Sequence, residues 1–523
     1  MLWLLACSPI VERDLWEGEN HLLPLFLQVD EQRSWSFSRM LGTVAVIEDG
    51  ELVRTFALED FPPAPHGLAQ AEDGLWVLWP DHARLFSSEG QVLRSIEGTV
   101  SDVLAERVAV PEGVLVEGVL QPTESPPLRL FPGGVSLLAN GAVYDSSGVL
   151  LCQAPFGSRL AAWDGEEVFV VKGGSVASCG RKEEVGNEPK VPVLVGEELW
   201  VLDRIGDEDP NTAVVRVLDK ETLVELRHFP TGKNSGYGGW DGERLWVNSE
   251  GSTEILGLLD EEVDRRVTTG VHVESVTGEV VSGRLSNRLW AGEREAELRW
   301  PVSPLLHRGQ LYVLAQLDMQ IVVLDPDTLE LLETWDLGLE PNDSLTLSDL
   351  VWWDGAFWLT DGARDELIQV SAGRVEQRIA LGNPLSRDAS GRLELVVGDG
   401  ALYVVRARDG RVHRVDAQGT SGPVWAEVPV RARMQLAGWD RGVLWVGPVG
   451  LDGDSLEAID DEDWDFFVGR WRGRPVAWRN GELVVGDEVV AVQGGEEAPE
   501  VTLSGRKVVL TDIEGASVRT LEL

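Results

Sequence analysis

The chain has 523 residues, 43% of them hydrophobic and 25% charged, a globular balance that excludes a disordered or fibrous protein. Its 88 acidic residues against 45 basic ones give a formal net charge of −43, which disfavours nucleic acid and anionic lipid surfaces as partners. The sequence also lacks the run of about 18 apolar residues that a membrane-spanning helix requires.

The first residues form a short apolar run that ends Leu-Leu-Ala-Cys at Cys7. This ending resembles the lipobox of bacterial lipoproteins, although no basic residue precedes the run and it is shorter than the usual stretch of about 7–15 residues. The resemblance implies a signal at residues 1–7, an acylated Cys7, and a lipid-anchored protein of the outer membrane or periplasm. Secretion is the alternative location, and a shortened start of another exported protein is the other interpretation. We expect the polar, irregular residues 8–37 to form a tether.

One small unit recurs along the chain. A polar turn, with Asp-Gly or a related pair, precedes a short strand in which an aromatic residue stands between aliphatic ones. Asp-Gly pairs suit tight hairpins because they tolerate positive φ, and the run that follows suits a buried strand. The copies lie at residues 72–78, 163–171, 196–202, 240–247, 308–314, 353–359, 398–405 and 439–446.

A second element follows the aromatic strand in its clearest copies. Residues 217–223 read Val-Leu-Asp-Lys-Glu-Thr-Leu, and residues 323–329 read Val-Leu-Asp-Pro-Asp-Thr-Leu. We interpret this element as an outer hairpin, in which the carboxylates of Asp219 and Asp325 accept hydrogen bonds from amides of the turn.

Short strands and turn residues repeat about every 40 residues with almost no helical periodicity, which predicts an all-β protein of the β-propeller class. About a dozen units are too many for one ring of about four to eight blades. The prediction is therefore two consecutive propellers of about six or seven blades, at residues 38–285 and 286–523, with one ring of long blades as the alternative. We expect the hairpin at residues 43–58 to complete the final blade, beside residues 507–521.

The Val-Leu-Asp-x-x-Thr segment after an aromatic strand resembles the repeats of exported bacterial propellers of the YVTN and quinoprotein-like types. The resemblance covers about residues 40–523, and it implies the fold and not an activity. Relatives of this kind act as binding or scaffolding proteins of the cell envelope, and some are dehydrogenases.

Cysteines and acidic residues supply the candidate sites. If Cys7 carries a lipid, Cys152 and Cys179 form an even pair on neighbouring strand segments, and both a disulfide and two buried free thiols stay open. The densest acidic stretch supplies the calcium candidates, although its spacing is not that of a standard calcium-binding loop and solvated charge is the default interpretation. The seven histidines have no metal-ligand spacing, so no other metal or cofactor is expected. The calcium candidates are Asp460, Asp461 and Asp463.

No catalytic constellation is recognisable in the sequence. A Gly-x-Ser-x-Gly nucleophile elbow, sialidase-type boxes and the adjacent cysteines of quinoprotein dehydrogenases are all missing. The sequence therefore predicts a non-enzymatic lipoprotein of the cell envelope that binds a protein, peptide or glycan through blade loops. The alternative is a propeller-type enzyme (a quinoprotein-like dehydrogenase, a lyase or a hydrolase) with a small site in a central channel. Ligand-binding residues stay unassigned, because the starts of the inner strands read mostly as Gly, Asp and aromatic residues.

Overall fold

The computed structural model of the chain consists almost entirely of strands. The only helical elements among the described residues are two short 3₁₀ turns, Pro132–Gly134 and Gln316–Asp318, and neither is long or apolar enough to cross a membrane. The described residues are 11–17, 19–22, 24–29, 33–38, 40–206, 212–231, 235–249, 252–273, 275–277, 279–339, 347–362, 364–381, 393–406, 411–416, 426–427, 437–447, 449–461, 464–472, 474–486, 488–492, 500–504, 507–512 and 516–522.

The described strands assemble into fourteen antiparallel sheets of four strands each, and the chain divides into two compact units. The first propeller is Glu17–Val271 and holds sheets 1–7. The second propeller is His272–Leu523 together with Met1–Trp16 and holds sheets 8–14. In each unit the first strands of successive sheets converge and the last sheet contacts the first, so each unit is a closed ring. The predicted fold, an all-β chain with two propellers, is confirmed.

The strands of the first propeller follow one another in chain order within each sheet. Sheet 1 comprises Pro24–Val29, Arg33–Ser38, Thr43–Glu48 and Glu51–Ala57, and sheet 2 comprises Gly67–Ala71, Gly74–Leu78, His82–Phe86 and Val92–Glu97. Sheet 3 comprises Asp102–Leu104, Arg107–Val110, Gly113–Val116 and Val119–Pro122. Sheet 4 comprises Pro127–Leu130, Ser136–Leu138, Ala142–Tyr144 and Leu150–Gln153, and sheet 5 comprises Ala161–Trp163, Val168–Lys172, Ser175–Ser178 and Arg181–Glu184. Sheet 6 comprises Pro189–Val195, Glu198–Asp203, Val214–Asp219 and Glu225–Pro230, and sheet 7 comprises Gly238–Trp240, Leu245–Asn248, Glu254–Leu259 and Glu262–Thr268.

The second propeller repeats this order in its first six sheets. Sheet 8 comprises Ser275–Thr277, Val280–Gly283, Arg288–Ala291 and Arg294–Glu297, and sheet 9 comprises Pro301–His307, Gln310–Ala315, Gln320–Leu324 and Leu331–Asp336. Sheet 10 comprises Leu347–Trp353, Ala356–Asp361, Glu366–Ser371 and Arg374–Ala380, and sheet 11 comprises Leu393–Val397, Leu402–Arg406, Arg411–Val415 and Ala426–Glu427. Sheet 12 comprises Ala437–Asp440, Val443–Val446, Val449–Asp452 and Ala458–Asp461. Sheet 13 comprises Phe466–Trp471, Arg474–Arg479, Glu482–Val485 and Glu488–Val492, and sheet 14 comprises Glu500–Ser504, Lys507–Asp512, Ser517–Glu522 and Val11–Asp14.

Sheet 6 illustrates how the sequence repeat builds a blade. Its second strand, Glu198–Asp203, is buried beyond the first residue, whereas its fourth strand, Glu225–Pro230, is exposed except at Phe229. Trp200 packs edge-on against Phe229 of the same sheet and against Trp240 of sheet 7, with ring centroids 5.5 and 5.9 Å apart. The aromatic residue of the repeat therefore fills the space between neighbouring sheets.

The outer hairpin predicted from the second sequence element is confirmed. Asp219 Oδ1 accepts a hydrogen bond from the Thr222 amide at 2.7 Å, and Asp325 Oδ1 accepts one from the Thr328 amide at 2.8 Å. The carboxylates thus satisfy amides that the strand ladder leaves unpaired in the turn.

The first propeller closes without strand exchange, because sheet 1 contains only consecutive strands. Asn20, which precedes sheet 1, binds the end of the unit: its Nδ2 donates to the Val271 carbonyl at 2.7 Å, and its Oδ1 accepts from the Val271 amide at 2.8 Å. The Thr269 hydroxyl donates to the His21 carbonyl at 2.9 Å. Side-chain hydrogen bonds to backbone therefore join the two ends of this ring.

The second propeller closes by strand exchange. Val11–Asp14 pairs antiparallel with Ser517–Glu522, with Val11 opposite Thr520 and Asp14 opposite Ser517. The N-terminal segment thereby becomes the outer strand of sheet 14 and covers an edge that would otherwise be free.

The tether predicted at residues 8–37 is wrong for the described part of that range. Val11–Asp14 belongs to sheet 14, while Pro24–Val29 and Arg33–Ser38 are the first two strands of sheet 1. The irregular sequence of this segment conceals strands that belong to both rings.

The predicted division into residues 38–285 and 286–523 also needs correction. The boundary between the units lies at Val271 and His272, and the hairpin at residues 43–58 pairs within sheet 1 and not with the final sheet. Sheet 8, which starts the second propeller, has strands of only three or four residues, such as Ser275–Thr277. Such short strands leave little periodic signal in the sequence.

We expect the stability of the first propeller to fall on acidification because of His21. Its ring is fully buried, with Nδ1 and Nε2 each 3.1 Å from a hydroxyl, of Thr43 and Ser36 respectively, and burial lowers its pKa from 6.5 to about 3. Between these values the unfolded chain binds a proton that the folded chain does not bind. Each pH unit in this window therefore costs roughly 1.4 kcal/mol of folding free energy.

Urea unfolding between about pH 7 and pH 4.5, with hydrogen exchange of sheet 1 as the readout, measures this slope. His21→Gln cannot titrate, so its slope should be shallower than the wild-type slope by roughly 1.4 kcal/mol per pH unit. Equal slopes would mean that the folded propeller protonates His21 as readily as the unfolded chain does.

Candidate functional site in the channel of the first propeller

Polar residues lie in the inner strand, or just before it, in four consecutive sheets of the first propeller. The first strands of the sheets converge on the axis of the ring, so these positions surround the central channel. His66 directly precedes sheet 2, Asp102 opens sheet 3, Arg129 lies in the first strand of sheet 4, and Arg159 lies two residues before sheet 5. We call these four residues, together with Arg107 of sheet 3, the channel cluster.

His66 is a neutral imidazole with a fixed tautomer. Its amide donates to the Leu78 carbonyl at 2.8 Å, which extends the inner strand of sheet 2, and its Nε2 lies 3.0 Å from the Val100 carbonyl. A carbonyl only accepts, so Nε2 carries the proton and Nδ1 keeps its lone pair. Burial lowers the pKa of His66, and the charge of Arg159 lowers it further, against the hydrogen bond to Val100.

Asp102 connects sheet 3 to sheet 4. Its carboxylate is buried and accepts a hydrogen bond from the Leu130 amide at 2.8 Å, while Arg129 Nη1 lies 3.5 Å from its other oxygen. Burial raises the pKa of this carboxyl, and Arg129 and the Leu130 amide act in the opposite direction. Asp102 therefore pairs with Arg129 and with the backbone of sheet 4.

The other two arginines of the channel cluster lack a carboxylate partner. Arg107 Nη1 donates to the Val135 carbonyl at 3.1 Å, and the carbonyl of Phe131 lies 3.4 Å away. Arg159 is exposed to solvent and forms no hydrogen bond or ion pair within the part of the chain that the structure describes. Partial desolvation nevertheless lowers the pKa of both guanidinium groups, while the charge of Asp102 raises it.

The channel cluster is therefore a local concentration of positive charge in a strongly acidic protein. Arg129 lies 3.5 Å from Asp102, and the charge of Asp102 also acts on Arg107 and Arg159, although the whole chain carries a formal charge of −43. Desolvated charged groups with perturbed pKa values cost folding free energy, and for that reason they cluster at functional sites. This makes the channel cluster the best candidate site of the molecule.

The sites predicted from sequence lie elsewhere. Cys7 and Asp463 are outside the described residues, and Asp460 and Asp461 end the outer strand Ala458–Asp461 of sheet 12 in the second propeller. Within the described ranges no group of three or more His, Cys, Asp or Glu side chains is arranged to hold a metal ion. Calcium binding at the acidic stretch stays a prediction.

Cys152 and Cys179 form a disulfide in the structure, with their Cα atoms 5.6 Å apart. Cys152 lies in the outer strand Leu150–Gln153 of sheet 4, and Cys179 directly follows Ser175–Ser178 of sheet 5. The bond therefore joins two neighbouring sheets, and the 27-residue separation that it spans contains Arg159.

Removing this bond is expected to lower the free energy of unfolding of the first propeller by roughly 3.5 kcal/mol, the value that chain entropy gives for a loop of this length. The measurement is calorimetry of the wild type against Cys152→Ser combined with Cys179→Ser. A reductant should reproduce the loss in the wild type and leave the double variant unchanged. Equal stability of the oxidised wild type and the double variant would contradict the prediction.

Sequence reasoning missed the channel cluster. Only the inner strands next to a recognisable turn and aromatic strand could be identified in the sequence. The starts of those inner strands are mostly Gly, Asp and aromatic residues. Sheets 3 and 4, which carry Asp102 and Arg129, fall in a stretch without that repeat. One signal was present: charged residues recur at positions 102, 129 and 159, at intervals of 27 and 30 residues.

No protein-family model matches the chain, and no curated protein matches it in sequence. Solved structures with a similar fold exist. PorZ, a bacterial surface component of the type-IX secretion system of Porphyromonas gingivalis, aligns over 98% of this chain and 87% of its own, at 11% identity and a TM-score of 0.45. BamB from Moraxella catarrhalis aligns over 77% of this chain and 99% of its own, at 14% identity and a TM-score of 0.24.

Virginiamycin B lyase from Staphylococcus aureus aligns over 64% of this chain and 95% of its own, at 10% identity and a TM-score of 0.29. Identities this low bear on the fold alone, so the activities and partners of these proteins say nothing about this chain. The two closed rings of four-stranded sheets make the chain an all-β protein of the β-propeller fold.

Proposed function

We propose that this chain is a non-enzymatic recognition protein of the bacterial cell envelope, which binds a protein, peptide or glycan partner at the channel mouth of the first propeller. The channel cluster is the observation that carries the proposal. It brings together side chains from four consecutive sheets of a rigid ring, which is the arrangement that recognition sites on rigid scaffolds share.

The hydrogen bonds and ion pairs within the channel cluster favour ligand binding over catalysis. Asp102 is held by Arg129 and the Leu130 amide, so it does not stand ready to exchange a proton with a ligand. Arginine is always charged at physiological pH, and it positions and neutralises ligands without transferring protons.

A propeller-type lyase, hydrolase or dehydrogenase with a small channel site is the second candidate. One observation supports it: the neutral His66 offers the lone pair of Nδ1, as a general base must. Under this alternative, His66→Asn keeps the ligand bound but stops its conversion. Under the binding proposal the bound ligand is recovered unchanged from the wild type as well.

Envelope location is part of the proposal. The disulfide between Cys152 and Cys179 supports an oxidising compartment, and acylation at Cys7 would anchor the protein to a membrane by a lipid. Intact mass of the protein from the membrane fraction, with and without reductant, tests both points. A mass for acylated Cys7 with two hydrogens gained on reduction supports them, and an unprocessed chain with free thiols contradicts them.

Site-specific photo-crosslinking tests the binding role. Ser158→p-benzoylphenylalanine places the probe beside Arg159, and Leu93→p-benzoylphenylalanine places it on an outer strand of sheet 2, where Leu93 is 48% exposed. In envelope extracts of the producing bacterium we expect an adduct from position 158 and not from position 93. Adducts from both positions, or from neither, would contradict recognition at the channel mouth.

A further inference from the structure

We propose that the first propeller binds a carboxylate group of its ligand at Arg159, in the mouth of the central channel. The inference rests on the proposed function for the location of the site, and it adds the chemical class of the group that the site holds. Three features support it. One guanidinium has free donors, the charge of the protein favours a monoanion, and the pKa of a neighbouring histidine should change when the ligand binds.

Arg159 is the guanidinium with free donors. Arg129 is occupied by Asp102, and Arg107 donates to the backbone carbonyl of Val135. Arg159 has neither kind of partner among the described residues. A guanidinium presents parallel N–H donors that match the two oxygens of a carboxylate, and such bidentate pairs are among the strongest hydrogen bonds in proteins.

The charge of the protein favours a carboxylate over a phosphate or sulfate. A body with a formal charge of −43 repels every approaching anion, and a dianion experiences about twice the repulsion of a monoanion. At the site, Arg159 is the one guanidinium of the channel cluster with free donors, so it can pair with one carboxylate. A ligand that carries one carboxylate on an otherwise neutral or basic frame therefore fits both the site and its surroundings.

The pKa of His66 should change when a carboxylate binds to Arg159. Among the described residues, the charged group that bears on His66 is Arg159, and the Val100 carbonyl accepts its ring proton at Nε2. A carboxylate on Arg159 neutralises the charge that now lowers the pKa of His66, so the pKa should rise on binding. Nδ1 can then take up a proton and donate toward the same carboxylate.

The loop that carries Arg159 is fixed at both sides. The disulfide between Cys152 and Cys179 closes the segment around it, and the Leu160 amide donates to Ser158 Oγ at 3.1 Å while the Leu160 carbonyl accepts from the Val171 amide at 2.9 Å. A backbone held in this way adds little ordering cost of its own when Arg159 binds a ligand.

The test uses the full-length oxidised protein and two small carboxylates, each with an uncharged match. N-acetylglycine is paired with N-acetylglycinamide, and glucuronate is paired with glucuronamide, so the two arms separate a peptide-type source of the carboxylate from a sugar-type source. Inorganic phosphate is the dianion control. Binding is read by saturation-transfer NMR on the probes and by the ring signals of ¹³C-labelled histidine, of which the chain has only seven residues.

We expect saturable binding of at least one carboxylate probe, with no binding of its amide, weaker binding of phosphate, and a rise in the pKa of His66. Arg159→Gln should weaken the binding at least about tenfold, which is the usual loss for a charge-assisted hydrogen bond. Arg159→Lys keeps the charge but not the paired donors, so its loss should be intermediate. Arg54→Gln removes an exposed charge from the outer strand of sheet 1 and should change binding less than about twofold.

Three results would overturn the inference: no saturable binding of either carboxylate, equal binding of phosphate, or unchanged binding in Arg159→Gln. In each of these cases cross-linking from Ser158 would show whether the channel mouth still engages a partner. Site-specific adducts without carboxylate binding would reject the carboxylate and retain the recognition role. Loss of both would reject the recognition role as well.

Discussion

Asp365→Ala is expected to destabilise the second propeller by about 3–5 kcal/mol. Asp365 and Arg406 form an ion pair between sheets 10 and 11, and their side chains are only 1% and 2% exposed. Removing the carboxylate takes a buried negative charge away from a guanidinium in a place that water does not reach. Urea unfolding with hydrogen exchange of Glu366–Ser371 and Leu402–Arg406 as the readout measures the loss.

A second Asp–Arg pair of the same propeller provides the matched control. Asp454 lies 3.3 Å from Arg414, but its side chain is 95% exposed, so Asp454→Ala should cost less than about 1 kcal/mol. Replacing both buried partners, Asp365→Leu with Arg406→Met, should recover much of the loss, because both charges of the pair are then removed. Equal effects of the two alanine substitutions would show that burial does not set the energy of these pairs.

Asn20→Ala should open the closure of the first propeller at a cost of about 4 kcal/mol. The substitution removes two hydrogen bonds to Val271 and leaves a buried amide and a buried carbonyl without these partners, each at a cost of about 1–3 kcal/mol. Hydrogen exchange should rise first in the strands that meet at the closure, in sheets 1 and 7. Calorimetry of the same variant gives the total loss.

Asn140→Ala is the control for this substitution. Asn140 also donates and accepts, to Glu124 at 3.1 Å and from the Ala142 amide at 3.0 Å, but it lies on the surface, where water can replace both bonds. We expect a loss below about 1 kcal/mol. If Asn20→Ala costs no more than Asn140→Ala, sheet packing alone closes the ring.

The fold was predictable wherever a turn and its strand lie close together in sequence. The Trp-Asp-Gly turns and aromatic strands need only local chemistry, and each of the predicted copies became the second strand of a sheet. Sheet 1 was not predictable in this way. Its strand Arg33–Ser38 alternates serine with Trp35 and Phe37, but no Asp-Gly turn precedes it. Both of its faces are buried, because the hydroxyls of Ser36 and Ser38 bond to His21 and to the Leu22 carbonyl.

The candidate site was less predictable than the fold, for a physical reason. Its members stand about 30 residues apart along the chain, and no local pattern links His66 to Arg159. They meet because successive inner strands converge on one axis, and the number and register of the sheets decide which of them converge. Only the closed ring contains that information, whereas a turn signal such as Asp-Gly is complete within two residues.

The origin of the outer strand of sheet 14 determines the order in which the two rings can be completed during synthesis. Val11–Asp14 leaves the ribosome before the other described strands, yet its partner Ser517–Glu522 emerges after all of them. The first propeller, Glu17–Val271, can close as soon as its own residues have emerged, whereas the second cannot close before Ser517–Glu522 has been made. A chain that ends before residue 517 would retain a complete first ring and leave Val11–Asp14 without its partner strand. Sheet 14 thus makes closure of the second ring dependent on synthesis through Ser517–Glu522.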